Sequence, residues 1–292
     1  MMREFRFGFS LATHNSQQEL VETCRTAEAY GYDIAVAVDH LGRGRTSPFQ
    51  ALLAAAYATE RMQVGTYVLN IGFWNPSFLA REAQTVQRLG GGRLELGLGA
   101  GIIKPEFDAA GIPWQPIDER MARLAATIEE VYELLGAEED LVRPRLLVGG
   151  TGERALAVAS KYADIVSLGG ILHIQGKPLG NFRLATAAEA DERLAFVRAE
   201  AGSRFDEVEL NNFVQTVAVT EDRVATAKEM AGDWSLSVEE LLESPFALIG
   251  TEDEIARRVI ENRERFGFTS TYIQRPFMDA LGPVIKRVRS LA

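Results

Sequence analysis

Cysteine is almost absent. Cys24 is the only one among 292 residues, which excludes an intrachain disulfide and any multi-cysteine metal site within one chain. Histidine is scarce too: His14, His40 and His173 lie far apart, with no His-Glu-x-x-His or comparable spacing, so no metal site is expected. No stretch approaches the roughly 18 uninterrupted apolar residues that a membrane helix needs. Residues 1–8 lack the apolar core and small-residue cleavage site of a secretion signal, so the expectation is a cytoplasmic protein with no membrane partner. Dense Lys/Arg runs are missing as well. With 31 basic against 41 acidic residues the net charge is −10, which speaks against a nucleic-acid partner.

What is present is an ordinary globular composition, 47% apolar and 25% charged, enough to bury a large core. The length suits two domains or one α/β barrel of roughly 250 residues. Phe5, Phe7, Phe9 and Leu11 fall at period two and predict a strand. Asn15 or Ser16 then caps a helix that ends at Gly31, and 34–38 is an apolar run expected of a strand buried on both faces. The phrase repeats. Further strands are predicted at 62–69, 94–98, 145–148, 165–168, 208–219 and 270–274, and helices at 48–58, 76–89, 118–135, 153–162, 187–200, 221–231 and 252–266. Eight strands alternating with helices predict an α/β fold, a parallel (β/α)8 TIM barrel, over a single domain of residues 1–292. A doubly wound open sheet is the competitor. The stretches 169–185 and 232–244 read as insertions at the C-terminal face of the strands, where such loops commonly close over an active site.

In a barrel, function gathers just after the strand ends. Strand two ends in Asp39-His40, strand three runs into Asn70 and then Phe73-Trp74-Asn75-Pro76, and strand four runs into Gly97-Leu98-Gly99-Ala100-Gly101. Strand five runs into Gly149-Gly150-Thr151-Gly152. Glycines between a buried strand and a helix let an anion approach free backbone N–H groups at the positive end of the helix dipole, so a cofactor phosphate is expected there. A plain connecting turn is the competing reading. The loop is neither a P-loop nor a Gly-x-Gly-x-x-Gly fingerprint. His40 is a candidate for proton transfer or a hydrogen bond to substrate. Gly97, Gly99 and Gly101 would let a planar group pass close to the backbone; Phe73, Trp74 and Trp114 would form an apolar wall; and Arg43, Arg45, Lys104 and Arg275 would place cations on the rim.

Several motifs match in order and spacing. They are 27–33 leading to Asp39-His40, Gly65-Thr66 with Asn75-Pro76 and Leu79-Ala80, and 92–101. Glu106 with Gly111-Ile112-Pro113, Gly149-Gly150 with Ala163-Asp164, and Gly250-Thr251 complete the set. Across nearly its whole length the chain resembles the bacterial-luciferase-like superfamily of flavin- or deazaflavin-dependent oxidoreductases, most of all the branch that uses coenzyme F420. The resemblance implies a (β/α)8 barrel, a homodimer, and a non-proline cis peptide at Tyr67-Val68. It also implies that Asp39 and His40 lie over the reactive ring, with His40 catalytic, and that Gly149, Gly150, Thr151 and Gly152 take the cofactor phosphate. Tyr67, Val68, Asn70, Gly99, Ala100 and Gly101 complete the expected cofactor site, and Trp74, Ile102 and Arg275 the expected substrate pocket.

Two departures bear on substrate. Ile102 stands where the sugar-phosphate dehydrogenases of that branch carry an acidic glutamate, which argues against that activity. The segment between Leu135 and Arg145 is shorter than the hairpin that many relatives carry there. The expected activity is hydride transfer from reduced F420 to an activated C=C or C=N bond of a small-molecule or modified-peptide acceptor. The alternatives are an FMN-dependent monooxygenase or reductase and a noncatalytic cofactor-binding paralogue.

Overall fold

The first predicted strand lies beside the last, and this pairing decides the architecture. In the computed structural model, which describes residues 3–11, 16–177 and 181–292, strand β1 (Arg6–Leu11) pairs in parallel with β13 (Phe268–Ile273) on one side and with β2 (Ile34–Ala37) on the other. His14 and Asn15 lie outside the described residues. From β2 the ladder continues through β3 (Gln63–Thr66), β5 (Leu94–Gly99), β6 (Arg145–Gly149), β7 (Ile165–Leu168) and β10 (Glu209–Val214) back to β13. The short β4 (Leu69–Asn70) continues the third strand beyond the cis peptide Tyr67–Val68 and pairs with the end of β5. The sheet is therefore a closed parallel barrel of eight strands and not an open doubly wound sheet.

Period-two alternation explains its two apolar layers. Phe7 and Phe9 of β1, with Ala35 and Ala37 of β2, belong to the layer shared with the helices. Ile34, Val36, Leu147, Ile165, Phe213 and Tyr272 pack inside the cylinder with Tyr67 and Val68. Helix α1 (Gln17–Tyr30) begins where the Ser16 hydroxyl accepts the Glu19 N–H and ends at left-handed Gly31. Helices α2 (Pro48–Ala58), α3 (Pro76–Leu89), α6 (Glu153–Tyr162) and α10 (Glu252–Phe266) span the predicted ranges. Helices α5 (Ile117–Gly136), α7 (Ala187–Ala201) and α8 (Arg223–Trp234) differ from them only at their ends.

Three readings need correction. The strand expected over 208–219 breaks at Gln215, whose backbone N–H donates to Phe246 O at 2.8 Å and whose side chain donates to Gly169 O at 2.6 Å. Beyond the break, β11 (Thr216–Val219) leaves the barrel to pair with β12 (Ala247–Gly250). The stretch 169–185 is no irregular loop: β8 (Ile171–His173) and β9 (Phe182–Leu184) form an antiparallel pair. The stretch 232–244 is the end of α8 followed by α9 (Val238–Glu243), held by a capping box between Ser237 and Glu240. Three helices carry no sequence-based expectation, α4 (Lys104–Ala109), α9 and α11 (Met278–Leu291).

The end of the barrel away from the site is closed by charge. Arg6 bridges Glu95 at 2.8 Å and Glu209 at 2.7 Å, Arg145 meets Glu209 at 2.9 Å, and the buried Tyr272 hydroxyl donates to Glu95 at 2.7 Å. Every carboxylate of this group has a cationic or hydroxyl donor, as burial demands. Among the described residues no helix is long and apolar enough to cross a membrane.

Candidate active site

At the other end the strands open into a cavity of about 850 Å³. Its walls include Asp39, His40, Tyr67, Val68, Asn70, Gly99, Ala100, Gly101, Ile102 and the whole 149–152 turn, so most of the residues singled out in the sequence converge there. Each comes from the C-terminal end of a barrel strand or the turn after it, which is how one barrel gathers side chains from distant parts of the chain.

Asp39 is the best-anchored polar group. It is buried, and its Oδ2 accepts the Trp74 indole N–H at 2.8 Å and the Asn70 backbone N–H at 3.0 Å. Burial pushes its carboxyl above the usual carboxylate range, while the two donors and neighbouring His40 oppose the rise. Beside it, His40 Nδ1 lies 3.0 Å from Glu106 Oε1 and 3.3 Å from Oε2. With Glu106 ionised the proton of this contact sits on Nδ1, leaving Nε2 as the other functional nitrogen of the ring.

The floor is aromatic and apolar. Tyr67 stacks on Phe213 at 4.7 Å between centroids, and its hydroxyl meets Ser167 Oγ at 2.6 Å. Ser167 in turn donates to Asn211 at 2.5 Å, and Asn211 donates to the Ser270 hydroxyl and carbonyl, each at 3.1 Å. Burial raises the Tyr67 hydroxyl pKa, so Tyr67 is a neutral hydrogen-bonding group at ordinary pH.

The 149–152 turn presents backbone to the cavity. Gly150 N–H donates to Ser167 O at 3.1 Å, and Arg193 pins Thr151 O at 2.9 Å, which fixes the turn from behind. Gly152 is the N-cap of α6 and supplies no side-chain cap. A Cβ placed on it would meet nothing within 4 Å. The glycine is therefore not demanded by packing against the protein; it leaves the helix N-terminus uncovered on the cavity side. Gly101 differs: its φ of +73° favours glycine, and a Cβ there would lie 2.5 Å from the Asn70 side chain.

Some expectations misplace residues. Trp74 does not line the cavity; its indole turns inward to Asp39, and its ring packs edge-on against Phe49 at 5.3 Å. Arg275 does not line it either, because its guanidinium is drawn to Glu19 at 2.7 Å. Lys104 pairs with Asp108 along α4, and Phe73 packs on Phe107, both away from the lining; Arg43 and Arg45 are exposed outside it. Of the two insertions, 169–185 contributes Gly169, Ile171, His173 and Phe182 to the wall, and 232–244 contributes nothing. The sequence reading assigns no role to Glu106 or Arg120. Pro105 followed by Glu106 is a helix-start signature that could have placed α4, and with it Glu106, beside the site. Arg120 lies over the Trp114 ring at 3.9 Å and donates to Gly101 O, a contact that no local pattern announces.

The sequence profile of the luciferase-like monooxygenase family matches residues 4–177, more than half of the chain. The chain belongs to that family. Over 149 residues this luciferase-like chain is 33% identical to the F420-dependent glucose-6-phosphate dehydrogenase of Gordonia bronchialis, covering 48% of this chain and 44% of that one. The match thus spans less than half the length of that relative. Over 252 residues it is 26% identical to the FMNH2-dependent dimethylsulfone monooxygenase of Pseudomonas putida, covering 72% of this chain and 68% of that one. The solved coenzyme F420-dependent tetrahydromethanopterin reductase from Methanopyrus kandleri superposes with a TM-score of 0.73 over 97% of both chains. At 17% identity that likeness is one of fold.

Proposed function

We propose that this luciferase-like chain is an F420-dependent oxidoreductase that reduces an activated C=C or C=N bond, working as one barrel domain over residues 1–292 and as a homodimer. One observation carries the reading: the uncovered N-terminus of α6 and the His40–Glu106 pair line the same cavity, together with the apolar side chains of Val68 and Ala100. The residues fit a ring with an anionic tail. In the Gly149–Gly152 turn only Thr151 carries a side chain, which leaves the backbone at the N-terminus of α6 open to a phosphate, and Gly99 and Gly101 make room for the Val68 and Asn70 side chains of the neighbouring wall.

When bound, reduced F420 supplies the hydride from C5 of its deazaflavin ring; the protein's part is binding, orientation and the proton. Asp39, Tyr67 and Asn70 would help hold the ring in the cavity they line. His40 delivers the matching proton from Nε2 while Glu106 fixes the orientation of the imidazole through Nδ1.

The test is a fluorescence titration of the purified chain with F420 and with FMN, followed by turnover of His40→Ala. F420 should bind more tightly, and the substitution should cost rate with little change in cofactor affinity. Tighter FMN binding would move the reading to a flavin monooxygenase or reductase, which the longer match to the Pseudomonas putida enzyme favours. Binding without turnover by the unmodified chain would indicate a noncatalytic carrier.

A further inference from the structure

Beyond Val68, Ala100 and the glycine turn, the wall of the cavity changes character. Ile102, Ile117 and Phe182 are large apolar side chains left 61%, 37% and 37% exposed, and all three line this one cavity. They come from separate segments: the turn after β5, the first residue of α5, and strand β9 of the hairpin. Trp114 and Met121 complete that wall. Scattered exposed apolar residues are ordinary, but several converging on a concave surface mark a place where apolar matter binds.

The charges of the same wall point the same way. Among the described residues its guanidinium groups are Arg120 and Arg154, and both are engaged. Arg120 is held by the Gly101 carbonyl and the Trp114 ring, and Arg154 pairs with Asp118 at 2.6 Å. His173 sits edge-on to Phe182, with ring centroids 6.3 Å apart. Against these stand three carboxyl groups, Asp39, Glu106 and Glu153. The uncovered N-terminus of α6 is the recipient built for an anion, and the cofactor phosphate takes it. A second anionic group would lose its water and gain a cation only by drawing Arg120 from Gly101 and Trp114 or Arg154 from its exposed pair with Asp118, a poor exchange.

From this the geometry points to an uncharged, predominantly apolar acceptor, such as a cyclic enone, and not a sugar phosphate or a carboxylate. The inference rests on the hydride-transfer reading and adds the substrate class. In the step itself the C=C π bond breaks. The β-carbon gains the hydride, the α-carbon gains a proton from His40, and reduced F420 is oxidised to F420. The C5–H bond of reduced F420 breaks and its ring N–H proton passes to solvent, two C–H bonds form on the acceptor, and His40 takes one proton back from solvent. Ile102 is then a specificity-determining residue.

The experiment titrates F420-loaded protein with carvone, an apolar cyclic enone, and with glucose 6-phosphate, reading tryptophan fluorescence. Carvone should saturate and glucose 6-phosphate should not. Ile102→Glu should raise the carvone dissociation constant about tenfold and Ile102→Leu change it by less than about threefold, in line with what one apolar pocket contact contributes to discrimination. Saturation by glucose 6-phosphate without carvone binding, or an Ile102→Glu protein that binds carvone as before, overturns the inference. In parallel, apoprotein is loaded with the uncharged dye Nile red and challenged with carvone. Displacement of the dye supports the apolar wall even if F420 fails to bind, and an undisplaced dye counts against it. Failure of F420 binding alone sinks the cofactor reading instead.

Discussion

Replacing Trp74 by Phe tests the anchoring of the site without any cofactor. The substitution keeps an aromatic ring against Phe49 and deletes the indole N–H that reaches Asp39 Oδ2 at 2.8 Å. Asp39 is buried, so water cannot fully replace the lost donor, and the Asn70 N–H at 3.0 Å becomes its remaining backbone anchor. A hydrogen bond to a charged buried group is worth about 1.5–3 kcal/mol, so the loss at neutral pH should be about 2 kcal/mol. For a chain of this size that corresponds to a fall in Tm of about 3 °C. The pH dependence has a definite sign. Burial raises the Asp39 carboxyl above its ordinary value of 3.8, so the folded state holds this proton more tightly than the unfolded chain. Stability from this group is greatest below that value and declines as pH rises through the folded pKa. Losing the indole donor moves the folded pKa further up. The deficit of Trp74→Phe should therefore be largest on the alkaline side and shrink as pH falls through the folded pKa, in urea melts at matched pH values. An Asp39→Asn background supplies the control: there the same substitution should cost about 1 kcal/mol less. A deficit independent of pH and unchanged in that background would refute the reasoning, because lost packing alone would then explain it.

Four further outcomes are expected. His40→Asn should lower hydride-transfer turnover by about 10²–10⁴-fold, the span of general acid catalysis, with F420 affinity within about threefold in a fluorescence titration. Gly152→Glu places a carboxylate at the uncovered end of α6; since a Cβ there meets nothing within 4 Å, Tm should hold while cofactor affinity falls at least about tenfold. Arg6→Met leaves Glu95 and Glu209 short of a cation and should cost about 3–5 kcal/mol in urea unfolding, with the cofactor site unaltered in the folded fraction. Burial pushes the Glu209 carboxyl up, but Arg6 and Arg145 outweigh it and hold it below 4.5, so its contribution is present above that value and lost as pH falls through the folded pKa. Glu209→Gln should accordingly flatten the acid limb of the stability profile.

Local physics made the barrel legible. Short apolar runs separated by capped helices leave few arrangements open, and Ser16, Gly31, Pro48 and Pro76 mark helix ends through their own backbone chemistry. Glycines at 97–101 and 149–152 are likewise visible as strand-end turns. What stayed hidden depends on contacts between distant segments. Chain order puts Trp74 and Arg275 on the wall because they follow strands, yet a buried carboxylate 35 positions away turns one indole inward, and Glu19 on α1 draws the guanidinium aside. Gln215 breaks the seventh strand through partners on 169 and 246, which no window of neighbouring residues contains.

The division between strand-borne and loop-borne residues suggests how specificity is separated from cofactor handling. Asp39, Tyr67, Asn70 and Gly149 sit at strand ends or immediately after them, cross-linked by Trp74, Ser167 and the Asn211–Ser270 contact within the cylinder. Ile102, Trp114 and Phe182 sit on connecting segments and on a two-stranded hairpin outside the barrel ladder. Altering the first group disturbs hydrogen bonds that reach across the barrel, whereas altering Ile102 or Phe182 changes mainly what the cavity wall presents. Substitutions at Ile102 or Phe182 should therefore shift acceptor preference at nearly constant Tm and F420 affinity. Substitutions at Ser167 or Asn211 should lower both together, because the same side chains support the barrel and, through Tyr67, the floor of the cavity.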